Sequence, residues 1–302
     1  MEGGETLTLR DEIKSFRDYN CRTGLLISTM YDLIQLGNIE IFNWITEQYN
    51  FCFDNLVLID YDIDEDQASL KSETQFIKRC LISDQVIIIP VRIAFSDGFT
   101  HYTGLIFNPV TKEIEYYEPH GYVALWRSAI DSVLKEYIKT NYPDYRYISS
   151  IDYCPIGPQR ISRDGYCYAW TTLYFYLRAK YPQVNRRNLI VTLTSFGEES
   201  LRKIITNFIC YLVEETHLID LSNTLYQVKE ATDKVSNLFG NLNITEENAE
   251  EVIELSEEYK QLFEEIDQLR YLGKQKELVS SLDSYIQRLH LIFTKGELLN
   301  QP

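Results

Sequence analysis

The chain has 302 residues, of which 25% are charged and 45% hydrophobic, as is typical of a globular protein. Its formal net charge of −16 argues against nucleic acid or an anionic membrane as the main partner, because both would repel it. No apolar run approaches the roughly 20 residues of a membrane-spanning helix, and the first residues lack the basic and hydrophobic regions of a secretory signal.

Periodicity and turn residues predict an alternation of helices and strands after a polar, peripheral segment at 1–20. In chain order, the patterns predict helices at 24–36 and 39–49, strands at 56–60, 85–93, 101–107 and 113–118, a helix at 122–139, a strand at 145–149, and helices at 165–180 and 198–215. The acidic run between residues 60 and 66 is expected to be a solvated loop, with a metal site as the alternative. Pro90 predicts a bulge or an edge position in its strand.

This order of elements predicts an α+β fold, with a central mixed or antiparallel sheet flanked by helices, over residues 21–220. The remaining residues, 221–302, form an acidic helical extension. Apolar residues there alternate spacings of three and four, as in the heptads of a coiled coil: Val252, Leu255, Tyr259, Leu262, Ile266, Leu269, and further along Leu278, Leu282, Ile286, Leu289 and Phe293. The extension is interpreted either as a helical hairpin that packs on its own domain or as a coiled coil that binds a partner or self-associates through residues 241–295.

Six cysteines are scattered along the chain without the paired spacing of metal ligands, and there are four histidines. Cys52, Cys80 and Cys210 lie in apolar or helical contexts that are typical of buried thiols. A disulfide framework is not expected in a chain of this length without a secretory signal. The sequence therefore predicts a reducing compartment and neither a metal ion nor another cofactor.

Cys167 is the first candidate for chemistry. It lies in the segment DGYCYAW (residues 164–170), at the predicted start of an apolar helix. The partial positive charge of a helix N-terminus lowers the pKa of a thiol and so favours the nucleophilic thiolate. Cysteines on apolar helices are more often core residues. The assignment of Cys167 as a nucleophile therefore depends on the other candidate residues described below.

His101 and Glu118 are the candidate general base and the acid that orients it. His101 opens one predicted strand and Glu118 ends the next, so an antiparallel pairing around the turn at 108–109 brings both to the same end of the sheet. A carboxylate there can hold the imidazole in the required tautomer and stabilise its charged form. His120 competes as the base and Glu115 as the acid.

Gln159 lies in an irregular loop fixed by two prolines and a glycine, CPIGPQ (residues 154–159), eight residues before Cys167. Its side-chain amide is a candidate donor to a developing oxyanion, together with the backbone N–H of Cys167. The competing interpretation is a glutamine that only caps the loop.

The order His101, Glu118, Gln159, Cys167 resembles the adenovirus-protease and SUMO-protease clan of cysteine peptidases, and the segments GPQ and GYCYAW look most like members from large DNA viruses. The resemblance covers about residues 85–215. It implies that Cys167 is the nucleophile, His101 the base, Glu118 its orienting acid and Gln159 the oxyanion donor. The chain departs from the pattern at Tyr102, where the family has Trp, and in the tyrosines on both sides of Cys167.

The resemblance implies a thiol peptidase that cleaves peptide or isopeptide bonds after glycine. Its substrates would be viral structural proteins undergoing maturation or conjugates of ubiquitin-like modifiers, and it would act in the host cell cytoplasm or the virion. Clan members accept glycine through a narrow tunnel roofed by aromatic residues, a role that falls here to Tyr102, Tyr166 and Trp170. The alternatives are an acetyltransferase of the same clan and a catalytically silent interaction scaffold.

Overall fold

The fold comes from a computed structural model that describes residues 8–49, 51–54, 56–70, 80, 85–121, 126–271 and 275–300. The chain divides into two compact units, the first built from Met1–Tyr31 and Trp44–Leu212, the second from Asp32–Asn43 and Val213–Pro302. Among the helices of the described residues, none is both long and apolar enough to cross a membrane.

Eleven helices and seven strands make up the described part of the chain. The helices are α1 (Leu9–Arg17), α2 (Ile27–Leu36), α3 (Asn38–Tyr49), α4 (Arg127–Asn141), α5 (Pro158–Ser162), α6 (Cys167–Lys180), α7 (Arg186–Thr194), α8 (Gly197–Glu215), α9 (Leu218–Asn241), α10 (Ala249–Tyr271) and α11 (Gln275–Leu299). The strands are β1 (Phe51–Phe53), β2 (Val57–Asp62), β3 (Gln67–Leu70), β4 (Val86–Phe95), β5 (Thr100–Asn108), β6 (Glu113–Tyr117) and β7 (Arg146–Ile148).

The first unit is built on one mixed sheet with the strand order β3-β2-β4-β5-β6-β7, and β1 also pairs with β4. The pairs β2–β3, β4–β5 and β5–β6 are antiparallel, whereas β1–β4, β2–β4 and β6–β7 are parallel. The predicted α+β class with a mixed sheet flanked by helices is confirmed.

Pro90 lies in a central strand, and the predicted edge position is wrong. β1 pairs with residues 86–88 of β4 and β2 pairs with residues 91–95, so Pro90 falls between these two partners. Proline has no backbone N–H, and its absence is tolerated at Pro90 because neither β1 nor β2 offers a hydrogen-bond partner at this point of the ladder.

Each face of the sheet packs against a helix. On one face, alternating residues of β4 and β5 join Ile130, Leu134 and Ile138 of α4 in a fully buried core. On the other face, α6 lies so close to β5 that a side chain at Gly104 would overlap the ring of Phe175. Nearly every residue of α6 is therefore buried, including those on both sides of its axis.

The segment 1–20, predicted to be peripheral, contributes a core helix. Thr8 caps α1 by accepting a hydrogen bond from the N–H of Asp11, and Ile13 and Phe16 are 0% and 2% exposed. Phe16 packs edge-on against Phe208 and Tyr176. The third buried residue of this short helix is Glu12, so only two apolar residues mark its buried face in the sequence.

The acidic run between residues 60 and 66 covers the end of β2 and the turn at 63–66 that leads to β3, so only its second half is the expected loop. The Asp62 carboxylate accepts the backbone N–H groups of Asp64 and Glu65, and Asp66 accepts the Tyr61 hydroxyl at 2.6 Å. These carboxylates satisfy local donors, as is usual for aspartates in turns. The predicted helix at 122–139 begins at Arg127 in the structure, and residues 122–125 lie outside the described part.

Two disulfides overturn the expectation that Cys52, Cys80 and Cys210 are free thiols. Cys21 is bonded to Cys210 and Cys52 to Cys80, which leaves Cys154 and Cys167 as the free cysteines. The first pair is separated by 189 residues, so its partners meet only through the tertiary fold, which spacing in the sequence does not reveal. The expectation of a reducing compartment loses the support that it drew from unpaired cysteines.

In the second unit, α9, α10 and α11 share an apolar core. Its buried members are Ala231, Val235, Leu255, Leu262, Ile266, Leu289 and Ile292. Most of the heptad residues of α10 are thus packed against helices of the same unit, and Lys295 and Glu258 link α11 to α10 by an ion pair of 2.9 Å. The side chains of Leu278 and Leu282 lie outside the described part.

Candidate active site

His101 and Glu118 meet at one end of the β5–β6 pair. The antiparallel register aligns Gly104 with Tyr117, so the start of β5 and the residue after β6 lie side by side. His101 Nε2 is 2.8 Å from Glu118 Oε1, and the two side chains are 1% and 0% exposed. The Glu118 carboxylate is held in turn by the backbone N–H of His120 at 2.9 Å. The predicted base and acid are therefore in direct contact in a dry environment.

Cys167 is the first residue of α6 and hydrogen-bonds the imidazole of His101. Since Nε2 of the ring is occupied by Glu118, Nδ1 is the nitrogen left for the thiol. The sulfur also receives the backbone N–H of Tyr102. Thr171, one turn along α6, donates its hydroxyl to the Tyr102 carbonyl at 3.1 Å, so the start of α6 is fastened to the start of β5.

The pKa values of the pair move in opposite directions. Burial lowers the pKa of His101, but the charge of Glu118 and the hydrogen bonds to Cys167 and Glu118 outweigh it and raise this pKa to about 10. Burial raises the pKa of Cys167, but the hydrogen bond and the charge of His101 outweigh it and leave the pKa below its usual value. Both shifts favour a thiolate–imidazolium pair, the reactive form of a catalytic cysteine.

Gln159 is brought to the site by a close contact between two loops. Its backbone N–H donates to the Pro119 carbonyl at 3.1 Å, and the N–H of Gly157 donates to the His120 carbonyl at 3.1 Å. A Cβ at Gly157 would overlap Pro119, and Gly121 has a φ of +76°. The two glycines therefore let the loop before Gln159 lie directly on the loop that follows Glu118.

The side chain of Gln159 is 2% exposed and donates from Nε2 to the Asp164 carbonyl at 3.2 Å. Its Oε1 is buried and has no hydrogen-bond partner among the described residues. The amide nitrogen is thus engaged by Asp164 through one of its two N–H groups. The backbone N–H of Cys167 is among the first four of its helix, which no helix carbonyl satisfies.

Three aromatic residues were predicted to contact substrate, and they differ in exposure. Tyr102 and Tyr166 are half-buried, so their rings reach solvent. Trp170 is 0% exposed and donates its indole N–H to the Asp164 carboxylate at 3.1 Å. Its position, one turn into α6, directs the ring into the core. The predicted substrate contact is therefore wrong for Trp170, which holds Asp164 instead.

His120 and Glu115, the alternative base and the alternative acid, lie in different environments from His101 and Glu118. His120 is half-buried, and burial together with the charge of His101 lowers its pKa against the opposing pull of Glu118. Glu115 lies in the middle of β6, where it binds Arg186 at 3.1 Å and Arg178 at 3.4 Å. Neither arrangement brings these residues to the thiol.

Three residues of this site were missed in the sequence. The hydroxyl of Tyr31 lies 3.9 Å from the Cys167 sulfur. The Asp164 carboxylate accepts the N–H of Tyr166 at 3.0 Å as well as the Trp170 indole. Trp126 packs edge-on against the His101 ring with a centroid distance of 5.6 Å. Asp164 could have been found, because an Asp immediately before the helix predicted at 165–180 is a typical helix-start signal.

Comparisons with protein-family models, with curated proteins and with solved structures found no match to this chain.

Proposed function

We propose that the chain is a cysteine peptidase that cleaves peptide or isopeptide bonds through Cys167. The observation that carries the proposal is the buried His101, which lies between the Glu118 carboxylate at 2.8 Å and a thiol at the start of a helix. A nucleophile, a base within hydrogen-bond reach and a third group that orients the base form the arrangement that covalent acyl transfer requires.

In the proposed reaction, the Cys167 thiolate attacks the carbonyl carbon of the scissile bond, and the electron pair of the C=O bond moves to oxygen. The imidazolium of His101 then gives its proton to the leaving amine as the C–N bond breaks, which leaves a thioester on Cys167. Water attacks the thioester after His101 takes one of its protons, and the thiolate leaves. Glu118 stabilises the charged ring in both steps without itself accepting a proton.

The negative oxygen of each tetrahedral intermediate needs hydrogen-bond donors. The second N–H of the Gln159 amide and the backbone N–H of Cys167 are the proposed donors, supported by the positions of the two residues at the starts of α5 and α6. Removing one oxyanion donor typically costs about 10²–10³ in turnover. Gln159 therefore contributes less than Cys167 or His101, whose loss disables the whole unit.

The resemblance to the adenovirus-protease and SUMO-protease clan extends this proposal to the peptidase fold and to a preference for glycine before the scissile bond. The half-buried rings of Tyr102 and Tyr166 remain as the roof over that glycine. The substrates proposed are viral proteins undergoing maturation or conjugates of ubiquitin-like modifiers. The helices of the second unit, whose heptads resemble those of a coiled coil, are proposed to bind a partner protein or to mediate self-association.

The test is covalent labelling by ubiquitin and SUMO probes that carry an electrophile at their C-terminal glycine, together with cleavage of peptides that contain Gly-Gly. Wild-type protein is expected to form an adduct at Cys167 or to hydrolyse the peptides. Cys167→Ala should remove both reactions while leaving the thermal unfolding transition unchanged, because only a small thiol is lost.

Cys154 is the matched control, since it is also a buried free cysteine but burial raises its pKa to about 12. Cys154→Ala should retain labelling and cleavage. Full activity in the Cys167→Ala protein would refute the assignment of Cys167 as the nucleophile. The absence of any cleavage or labelling by the wild type would refute the proposed function.

A further inference from the structure

A row of half-exposed side chains crosses the sheet beside Cys167. The ladder pairs Leu58 of β2 with Arg92 of β4, and Arg92 with Tyr102 of β5. Directly paired residues point to the same face of a sheet, so these three form one surface, which we call the sheet strip. All three are half-buried, whereas their ladder neighbours toward the other face are 0% exposed, namely Val57, Val91 and Thr103.

The sheet strip begins at the nucleophile. The backbone N–H of Tyr102 hydrogen-bonds the Cys167 sulfur, and the Tyr102 ring packs edge-on against Tyr168 of α6 with a centroid distance of 5.2 Å. From that point the strip leads away from α6, across β5 and β4 to β2. An extended substrate held at Cys167 can therefore continue along this surface.

Arg92 is the polar centre of the sheet strip, and it has no acidic partner among the residues that the structure describes. Its Nε is shut off from solvent and makes no hydrogen bond, and the guanidinium forms no ion pair with any residue that the structure describes. Asp60 lies on the same face of β2, one row further along, but no ion pair joins it to Arg92 in the described part of the chain.

Two other shielded arginines of the first unit have acidic partners. Arg178 contacts Glu115, and Arg186 contacts both Glu113 and Glu115. A partly desolvated guanidinium without an acceptor is unfavourable, so the state of Arg92 points to an anion that is absent from the free protein. A carboxylate suits the site, because the planar guanidinium offers it two parallel N–H donors.

We propose that Arg92 is a specificity-determining residue that binds the carboxylate of an Asp or Glu in the substrate, within about three residues of the scissile bond. The spacing follows from geometry, because neighbouring strands lie about 4.8 Å apart and an extended chain advances about 3.3 Å per residue. The assignment rests on the proposed peptidase function and adds a substrate class to it.

The charge of the whole chain sharpens this preference. With a formal net charge of −16 the protein repels acidic substrates in general, so an acidic residue is favoured at the one position that faces Arg92 and disfavoured at others. Attraction at one position combined with repulsion elsewhere gives more discrimination than either alone.

The test begins with a mixture of proteome-derived peptides, whose cleavage sites are read by mass spectrometry. Wild-type protein should show enrichment of Asp and Glu at one position near the cleaved bond. For a peptide chosen from that set, replacing the acidic residue by Gln should lower kcat/KM by about 10-fold or more, as expected for a hydrogen bond to a charged group. Arg92→Gln should bring the ratio of the two peptides close to one, and Arg92→Glu should favour Lys at that position.

Arg92→Lys keeps the charge and should retain part of the preference, and Arg187→Glu, an equal charge change on the exposed start of α7, should leave it unchanged. If Arg92→Glu does not fold, the Gln and Lys variants decide the question. Cleavage without an acidic preference, or a preference that survives Arg92→Gln, overturns the role of Arg92 alone. Failure of the wild type to cleave any peptide overturns the proposed function and this inference with it.

Discussion

The buried His101 ring lies between two groups that both favour its charged form. Because the charge of Glu118 and the hydrogen bonds raise the His101 pKa to about 10, the imidazolium persists through neutral pH and keeps the neighbouring thiol ionised. Chemistry at this site therefore depends on a carboxylate that never touches the sulfur.

Glu118→Gln tests this dependence. Without the negative charge the pKa of His101 falls and that of Cys167 rises, so alkylation of Cys167 by iodoacetamide near neutral pH should slow by about 10-fold or more. In the wild type, the stability that the His101–Glu118 pair contributes while Glu118 is ionised is complete at about pH 6.5 and is lost as the pH rises through about 10. The difference in unfolding free energy between the two proteins should shrink over that window, and a constant difference would contradict the raised His101 pKa.

Tyr31 gives a second prediction at this scale. Its hydroxyl lowers the pKa of the Cys167 thiol and accepts the Tyr168 N–H at 3.4 Å. Tyr31→Phe should therefore raise the pKa of Cys167 and slow its alkylation by about 3- to 10-fold at slightly acidic pH, as the loss of one hydrogen bond implies. Tyr166→Phe is the control, since its ring meets Tyr31 but its hydroxyl has no contact with the sulfur among the described residues. Equal slowing in both variants would refute a specific role for the Tyr31 hydroxyl.

The sequence predicted His101, Glu118 and Cys167 because each lies at the end or the start of a predicted element, and it predicted Gln159 because prolines and a glycine fix the loop around it. Strand ends that pair antiparallel must meet, so His101 and Glu118 could be placed together from their positions alone. Tyr31 could not, because it lies on a helix 136 residues before Cys167 and only the tertiary fold brings it near. Trp170 was misplaced because its helix is buried on all sides, which removes the amphipathic pattern that would show its direction.

At the scale of elements, the site depends on how closely α6 approaches β5. The helix starts with the nucleophile and rests on Gly104, three residues after the base. A methyl group added at this contact tests whether the position of α6 matters for activity, without changing the reactive residue Cys167.

Gly104→Ala should destabilise the fold by about 1–3 kcal/mol and lower activity, because the added methyl group overlaps Phe175 and pushes α6 off the sheet. Gly165→Ala is the matched control for stability, since a Cβ there meets nothing within 4 Å and its φ is not positive. Denaturant unfolding measures both variants. Equal stability of the two proteins would show that α6 accommodates the methyl group by a small shift. The space around Gly165 thus allows a side chain at this position.

Strong periodic patterns placed most elements to within a few residues, but β1, β3, α1, α5 and α7 were not predicted. These elements are short, between 3 and 9 residues, so they hold too few apolar positions for a period to be seen. They are stabilised by neighbours that are distant in sequence, such as β4 for β1. The pairing of Cys21 with Cys210 could not be predicted for the second of these reasons, because the two residues are distant in sequence.

At the scale of the whole molecule, every residue proposed for catalysis or for the sheet strip belongs to the first unit, and the core of α9, α10 and α11 belongs to the second. The second unit also includes residues 32–43, where Gly37 contacts Leu218 of α9. A sequence pattern could not assign that segment, because its partners lie far along the chain.

Deletion of residues 241–302 tests the separation of the two parts. It removes α10 and α11, so Ala231 and Val235 of α9 lose their apolar partners and become exposed. The truncated protein should self-associate in size-exclusion chromatography, as an uncovered apolar stripe does, yet cleave short peptides within about three-fold of the full chain, because the first unit keeps its own core.

Leu262→Ala in the full-length chain is the milder counterpart, since it opens a cavity in the core of the second unit and should cost about 2–5 kcal/mol there. Peptide cleavage should again be unaffected, because the catalytic residues lie in the other unit. If either variant abolishes cleavage of short peptides, the helices of the second unit are needed to complete the catalytic fold, and the division into an enzyme and a separable extension is wrong.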